Sequence, residues 1–255
     1  MTMIRKIRPY GILVIATLAV ILFQNHVSGW MYQRSYDLYP LYKGIDPDNV
    51  FMYLFLHHIM QAVMYLILIL IAARLLHIKF RDFGFNLDHA KISIKYTVYF
   101  VIFWVVIQYG VGYLMYLGGS KISVNYIVNS RNVTGYFLFE ILLSGTSEEL
   151  FYRGLIVTVT LALMQVYVKK QRNLYIIATL VSIVIFMAGH ISFTIFPFRI
   201  MYINFLQQLT VISGTIFYCI CFLRTKSLLG PILMHNLLNG LATWSALLFT
   251  YLSSK

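Results

Sequence analysis

Glu148, His190, His235 and Asn239 stand in three separate apolar stretches of this chain. A carboxylate, two imidazoles and a carboxamide gathered from three helices make a set able to hold and activate a water. The carboxylate is the most telling member. The three glutamates of the chain, Glu140, Glu148 and Glu149, all fall in one apolar stretch long enough to cross a bilayer. An ionised carboxylate in that setting costs roughly 2.5 to 3.5 kcal/mol even on lenient insertion scales. Such residues mark a functional site with partners on neighbouring helices.

Spacing separates the paired glutamates within Ser147-Glu148-Glu149-Leu150-Phe151-Tyr152-Arg153-Gly154. Glu149 and Arg153 are four apart on one helical face, with the acid N-terminal to the base, the favourable order for an ion pair. In lipid each charge would otherwise be buried alone. Glu148 points about 100° away and shares its face with Ser144 and Tyr152, so no arginine of its own helix neutralises it. Glu149 and Arg153 therefore read as structural support, and Glu148 as the free carboxylate. The competing reading is that both glutamates accept hydrogen bonds from Arg153 and from neighbouring helices.

His190 lies one turn after Phe186, and Asn239 one turn after His235. A lone intramembrane histidine more often packs and hydrogen-bonds than catalyses; the combination on three helices is what singles these two out. His26, His77 and His89 sit near ends or loops and read as bystanders. His57 and His58 fall inside an apolar stretch and are weaker candidates. Gly230-Pro231 suits a helix that begins near Pro231. His235 would then lie close to a positive helix N-terminus, which helps hold a developing negative charge.

These residues need helices to position them. Seven stretches, near 10–29, 51–73, 95–117, 135–163, 174–196, 201–223 and 228–251, are long enough to span a membrane at about 20 residues each. The expected fold class is all-α, a polytopic helical membrane protein of about seven transmembrane helices. A content of 60% hydrophobic and 11% charged residues agrees, since soluble chains carry roughly 25% charged. Residues 1–134 hold N-terminal transmembrane helices with no recognised motif, and residues 135–255 hold the motif-bearing core. The first stretch is interrupted by Gln24, Asn25 and His26, and its flank of Arg5, Lys6 and Arg8 is like that of a signal peptide. No small-x-small cleavage site follows, so it is read as a retained helix.

Charge placement sets the orientation. Thirteen lysines and arginines fall in the segments that share a side with the N-terminus, and six in the others. That asymmetry places the N-terminus in the cytoplasm and the chain as a multi-pass protein of the cell membrane. The net charge of +12 belongs to this topology and to contact with anionic head groups. No basic helix, zinc motif or RNA-binding signature accompanies it, which excludes a nucleic-acid partner. Cys219 and Cys221, two apart on one apolar segment, form neither a disulfide nor a CxxC metal pattern and read as packing residues.

Glu148-Glu149-x-x-x-Arg153, Phe186-x-x-x-His190 and His235-x-x-x-Asn239 together resemble the three motifs of the CAAX protease and bacteriocin-processing family. This family, also called the abortive-infection or CPBP family, consists of intramembrane endopeptidases. Order, spacing and placement in successive apolar stretches agree over roughly residues 135–250, and no motif position departs. The resemblance implies cleavage of a hydrophobic or membrane-bound peptide, in bacterial peptide processing or bacteriocin self-immunity. It also implies a membrane sensor kinase or transporter as partner. The roles it carries over are Glu148 as general base assisted by His190, His235 and Asn239 as donors to the oxyanion, and Glu149 with Arg153 as a brace.

No cofactor is expected on this reading. The alternative is zinc held by Glu148, His190 and His235, since two histidines and a carboxylate with an open position form a known catalytic set. Against zinc, the chain has no HExxH pair and Asn239 is a poor ligand. Two other function classes fit the composition. One is a non-catalytic membrane scaffold that regulates a sensor kinase or bacteriocin receptor. The other is a proton-coupled transporter, although transporters commonly show two repeated halves and residues 1–134 carry no counterpart of the polar set. One geometric difficulty stands. Counting from the cytoplasmic face at 1.5 Å per residue puts His235 about 10 Å deep and His190 about 24 Å deep. They meet only if the last helix starts deep, or if a water-filled cavity admits a broken helix.

Overall fold

In hydrocarbon every backbone N–H and C=O must find a partner within the protein, and a helix meets that demand within one segment. The apolar stretches accordingly form helices. The computed structural model describes residues 3–120 and 122–254, with side chains described from residue 8 onward. Lys121, Lys255 and the side chains of Arg5 and Lys6, all used in the charge asymmetry, lie outside this description. The helices are α1 (Met3–Asp37), α2 (Met52–Leu76) and α3 (Ala90–Leu117), then a composite α4, then α5 (Gln171–Gly189), α6 (Phe205–Thr225) and α7 (Leu229–Ser253). All but α4 are single helices long and apolar enough to cross a membrane. Large apolar side chains such as Ile15, Val106 and Leu114 remain exposed on their outer faces. The fold is that of an all-α, multi-pass membrane protein.

Helix α4 is one continuous run of helical backbone with two π-wound stretches. It passes through Ser130–Phe139, a π-helical stretch Glu140–Ser144, an α-helical turn Gly145–Glu149, a second π-helical stretch Leu150–Val157, and Thr158–Met164. π-Turns inside α-helices are frequent at functional sites. Both stretches here fall on the glutamate-bearing segment.

Two boundaries differ from the sequence expectation in a way that matters. Hydropathy carries the fifth stretch on to residue 196, but α5 stops at Gly189. The chain then forms a hairpin of β1 (Ser192–Thr194) and β2 (Arg199–Tyr202), paired antiparallel. Residues 190–203 are apolar enough to look membrane-spanning, yet Gly189 and Pro197 break the helical run, and hydropathy alone does not register such breaks. The purely helical expectation thus missed a small sheet. At the other end of the bundle, the α6–α7 connection is buried. Ser227 is fully buried and Leu228 is 3% exposed. The turn at Phe80–Phe83 and the residues after it close over the connection. Leu228 N donates to Gly84 O at 3.0 Å, Ser227 Oγ to Asn86 O at 2.6 Å and Asn86 Nδ2 to Lys226 O at 2.7 Å. Gly84 has φ +99°, and a Cβ there would meet Leu228 Cγ at 2.7 Å; only glycine allows the loop to settle so close. Helix α7 therefore begins inside the bundle, which removes the depth difficulty for His235.

The N-terminal helices pack directly on the motif-bearing part. Tyr65 of α2 stacks on Phe151 of α4 with centroids 4.5 Å apart, and Ile69, Phe151, Val157, Ile185 and Phe222 share one core. A second core joins Phe100 and Trp104 of α3 to Tyr218 of α6 and Met234 of α7. Cys219 and Cys221 are free and fully buried. The loop before α2 is tied down by two aspartates. Asp46 accepts from the amides of Val50, Phe51 and Met52 at 2.7–2.9 Å. Asp48 accepts from Asn132 and Arg131 at 3.0 Å each and from Asn129 at 3.3 Å. The bond from Asn132, then that from Arg131, holds the Asp48 carboxyl below its usual range.

Candidate active site

Glu149 and Arg153 are both fully buried, and Arg153 Nη1 donates to Glu149 Oε1 at 2.8 Å. The same Oε1 accepts from His235 Nδ1 at 2.7 Å. The brace expected from spacing therefore extends to a third residue, across to α7. Arg153 Nε and Nη2 have no hydrogen-bond partner among the described residues. The guanidinium instead faces rings, with centroids of Tyr218 at 4.9 Å, Phe186 at 5.0 Å and Tyr152 at 5.7 Å. Desolvated cation–π contacts of this kind contribute about 2 kcal/mol.

His235 is the hinge of the arrangement. Its ring stacks on Tyr218 at 5.3 Å and lies 5.7 Å from Phe186. Because a carboxylate occupies Nδ1, that nitrogen carries a hydrogen. Nε2 then points toward Glu148, whose Oε2 is 3.7 Å away, beyond a direct hydrogen bond. Spacing alone had set His235 with Asn239; the structure sets it between the two glutamates. Asn239 instead donates from Nδ2 to Ser144 Oγ at 2.9 Å, and its amide also hydrogen-bonds to the Glu140 carboxyl.

His190 sits just past the end of α5. Its Nδ1 bonds to the Phe186 carbonyl at 3.0 Å, so Nδ1 is the donor and Nε2 keeps its lone pair. Phe186 touches both histidines, at 4.8 Å for His190. Glu148, His190, His235 and Asn239 line one cavity of about 580 Å³, together with Glu140, Ser144, Tyr126, Tyr136 and Gln207. The cavity lies toward the end of the bundle that carries the 118–129 loop, the hairpin base and the C-terminal half of α7.

The π-stretch explains why Glu140, Ser144 and Glu148 share that cavity. In a regular α-helix residues four apart advance by about 40° per step. The wider π-turn takes up this advance and keeps the three nearly in line. Tyr152, expected on the same face, is turned instead to α1 by the second π-stretch, where Gln24 Nε2 donates to its hydroxyl.

Helix α7 closes on α4 at Gly145. A Cβ there would meet Asn236 Oδ1 at 2.6 Å and His235 Cβ and Cγ at 2.7 Å. Gly145→Ala should therefore push α7 off α4, at about 1–3 kcal/mol for overpacking. A lowered unfolding midpoint in detergent, with cleavage reduced beyond the loss of folded protein, is the expected result. An unchanged midpoint would show that the helices can part without cost.

Residues outside the motifs support the site from behind. His58 Nδ1 lies 2.6 Å from Ser147 Oγ, and Gln61 Nε2 donates to Ser28 Oγ at 3.0 Å. His57, beside His58, has an Nδ1 with no hydrogen-bond partner. Gln24 and Gln61 were legible as polar residues in apolar helices, the usual sign of a protein partner; which partner was not. Glu140 was visible only as a third glutamate, since its place in the cavity depends on the π-turn.

Residues 130–241 match the family model described as type II CAAX prenyl endopeptidase Rce1-like. The matched segment is similar to this family over 112 of the 255 residues. It contains all three motifs and every residue placed in the cavity by α4, α5, α6 and α7 except Ala242, Thr243 and Ala246. No curated protein and no solved structure matches the chain. The chain thus combines six helices long and apolar enough to cross a membrane with a segment similar to CAAX-type intramembrane proteases.

Proposed function

We propose that the chain is an intramembrane endopeptidase that hydrolyses a hydrophobic or membrane-bound peptide with a water activated by Glu148. One observation carries this reading: Glu148, His190, His235 and Asn239, from three helices, line a single cavity within an Rce1-like segment. His190 Nε2, with its lone pair free, accepts one hydrogen of the water, and Glu148 takes the other as a proton. The water oxygen bonds to the scissile carbonyl carbon, and the carbonyl electron pair moves onto oxygen. That oxyanion is met by the Asn239 amide, which turns to it from Glu140, and by Nε2–H of His235, each such donor contributing about 3 kcal/mol. His235 donates there with a hydrogen on each ring nitrogen, its Nδ1–H held by Glu149 Oε1. Collapse breaks the C–N bond, and the proton held by Glu148 passes to the leaving nitrogen. Comparing membrane peptides from wild-type cells and cells carrying Glu148→Ala tests the reading: peptides that appear only with the wild type support it. A Glu148→Ala protein that sustains the full phenotype would mark a scaffold instead.

The proposed reaction needs no metal. No three His, Cys, Asp or Glu side chains among the described residues are grouped closely enough to hold a metal. The mechanism accordingly routes no step through a metal. Purified protein is expected to cleave without added metal and in the presence of strong chelators. Activity lost to a chelator and restored by zinc would turn Glu148, His190 and His235 into ligands, with Glu149 as the remaining base.

The family resemblance supports a role in bacterial peptide processing or bacteriocin self-immunity, with a membrane sensor kinase or transporter as partner. The lysine and arginine asymmetry supports a cell-membrane location with the N-terminus in the cytoplasm. On that orientation the cavity faces outward. Lys43→Cys and Lys170→Cys, both at exposed positions, should be labelled by an impermeant reagent from outside and from inside respectively. Labelling of both from one side would rule the orientation out.

A further inference from the structure

At the end of the bundle remote from the cavity, α5 and α6 part to leave a groove of about 810 Å³. Its walls are Ile176, Leu180 and Ile183 from α5 and Ile216, Ile220 and Leu223 from α6. These fall at three- and four-residue spacings, one face of each helix. Ile176, Leu180, Ile216 and Ile220 are each 40–53% exposed, so the groove opens to the surroundings rather than into the core. Its rim is cationic. Arg172 and Arg224 both line it and are exposed. No carboxylate pairs with either among the described residues, whose arginine ion pairs involve Arg34, Arg81, Arg131 and Arg153. Tyr175 stands at the same rim, accepting from Gln171 at 2.8 Å, with the Lys226 ammonium 5.0 Å from its ring.

We propose that this groove binds one anionic phospholipid. Its phosphate is held by Arg172 and Arg224, and an acyl chain lies along Ile176, Leu180, Ile216 and Ile220. Guanidinium groups match phosphate oxygens in a two-bond geometry that lysine cannot reproduce. Basic pockets between transmembrane helices are a recognised way of holding anionic head groups. Two unpaired guanidinium charges and a nearby ammonium favour a lipid with net negative charge over a zwitterion, whose own cation competes for its phosphate. The apolar walls distinguish a lipid from free phosphate, which would leave them unused. The site bears on the cavity through its helices. Helix α5 ends beside His190, α6 begins beside Gln207, and Phe186 and Tyr218 from the same two helices enclose Arg153. A lipid that holds α5 to α6 therefore steadies the cage around the Glu149–Arg153 pair. The proposal rests on the membrane fold and not on catalysis.

The test uses full-length protein in neutral detergent, probed with phosphatidylglycerol, phosphatidylcholine and inorganic phosphate by native mass spectrometry and thermal unfolding. Phosphatidylglycerol should bind one to one and raise the unfolding midpoint, with phosphatidylcholine and phosphate doing neither. Arg172→Gln/Arg224→Gln should weaken phosphatidylglycerol binding at least about ten-fold, the loss of roughly one charge-assisted contact. Leu180→Trp, which fills the groove and leaves the arginines, should also weaken it, and serves if the double variant does not fold. Equal binding of the two lipids, an effect from phosphate alone, or full phosphatidylglycerol binding by either variant would overturn the proposal. Neither result depends on whether Glu148 catalyses anything.

Discussion

Glu148→Gln is expected to leave the protein at wild-type abundance and to slow cleavage by about 10²- to 10⁴-fold, the usual contribution of a positioned general base. The change is nearly isosteric, so packing is preserved. No direct hydrogen bond to the carboxylate is lost with His235, because Nε2 is 3.7 Å from Oε2. The side chain is 20% exposed into the cavity, where the amide can meet water. What disappears is the ability to accept a proton and return it to the leaving nitrogen. Cleavage of a quenched fluorescent peptide in proteoliposomes gives the rate, and the unfolding midpoint gives the control. A Glu148→Gln protein that cleaves normally sinks the mechanism. If Glu140→Gln were then inactive, the base would be Glu140, which lines the same cavity.

Arg153→Ala should act on the fold as well as on the chemistry, costing about 3–5 kcal/mol, the range seen when one partner of a buried pair is removed. Glu149 has no exposure, so its charge cannot turn to water. It would keep only the bond from His235. The space left by the guanidinium lies among Tyr218, Phe186 and Tyr152, and two of those rings flank His235. Lower abundance and a markedly lower unfolding midpoint are expected. Glu149→Gln/Arg153→Met, which removes both charges and keeps the volume, should recover much of the loss. A wild-type midpoint for Arg153→Ala, or a double variant no better than the single one, would mean that the pair does not brace the site.

Much of this was legible from residue types and spacing. Apolar length located the helices because lipid leaves the backbone few alternatives, and Glu149–Arg153 followed from a four-residue separation. Three features were not legible, each for a physical reason. The β-hairpin at Ser192–Tyr202 is rich in Phe, Ile and Met, so apolar content alone does not tell it from the end of a spanning helix. The buried start of α7 depends on Gly84, Asn86 and Leu228, contacts between loops about 140 residues apart that no local pattern encodes. The partner of His235 could not be chosen by counting, since the rotation of α4 about its own axis decides which of the neighbours Glu148 and Glu149 faces α7. That rotation is set by the π-winding, for which residue order gives no sign.

The winding of α4 has a consequence for how this molecule can be altered. A π-turn holds one residue more than an α-turn over the same length of axis, so a helix with two of them carries surplus chain. Deleting one residue between Glu140 and Ser144 need not break the rod; it can return that stretch to ordinary winding. Three α-steps turn the chain through nearly the same angle as four π-steps, so the N-terminal part would shift by only about 30° relative to Glu148. Tyr136 would stay on the cavity side, and Glu148, Glu149 and Arg153 would stay where they are. The same deletion in the ordinary α-wound part, Ser130–Phe139, has no surplus to draw on and would turn everything before it by about 100°. Tolerance to a missing residue is thus confined to the stretches that carry the glutamate site.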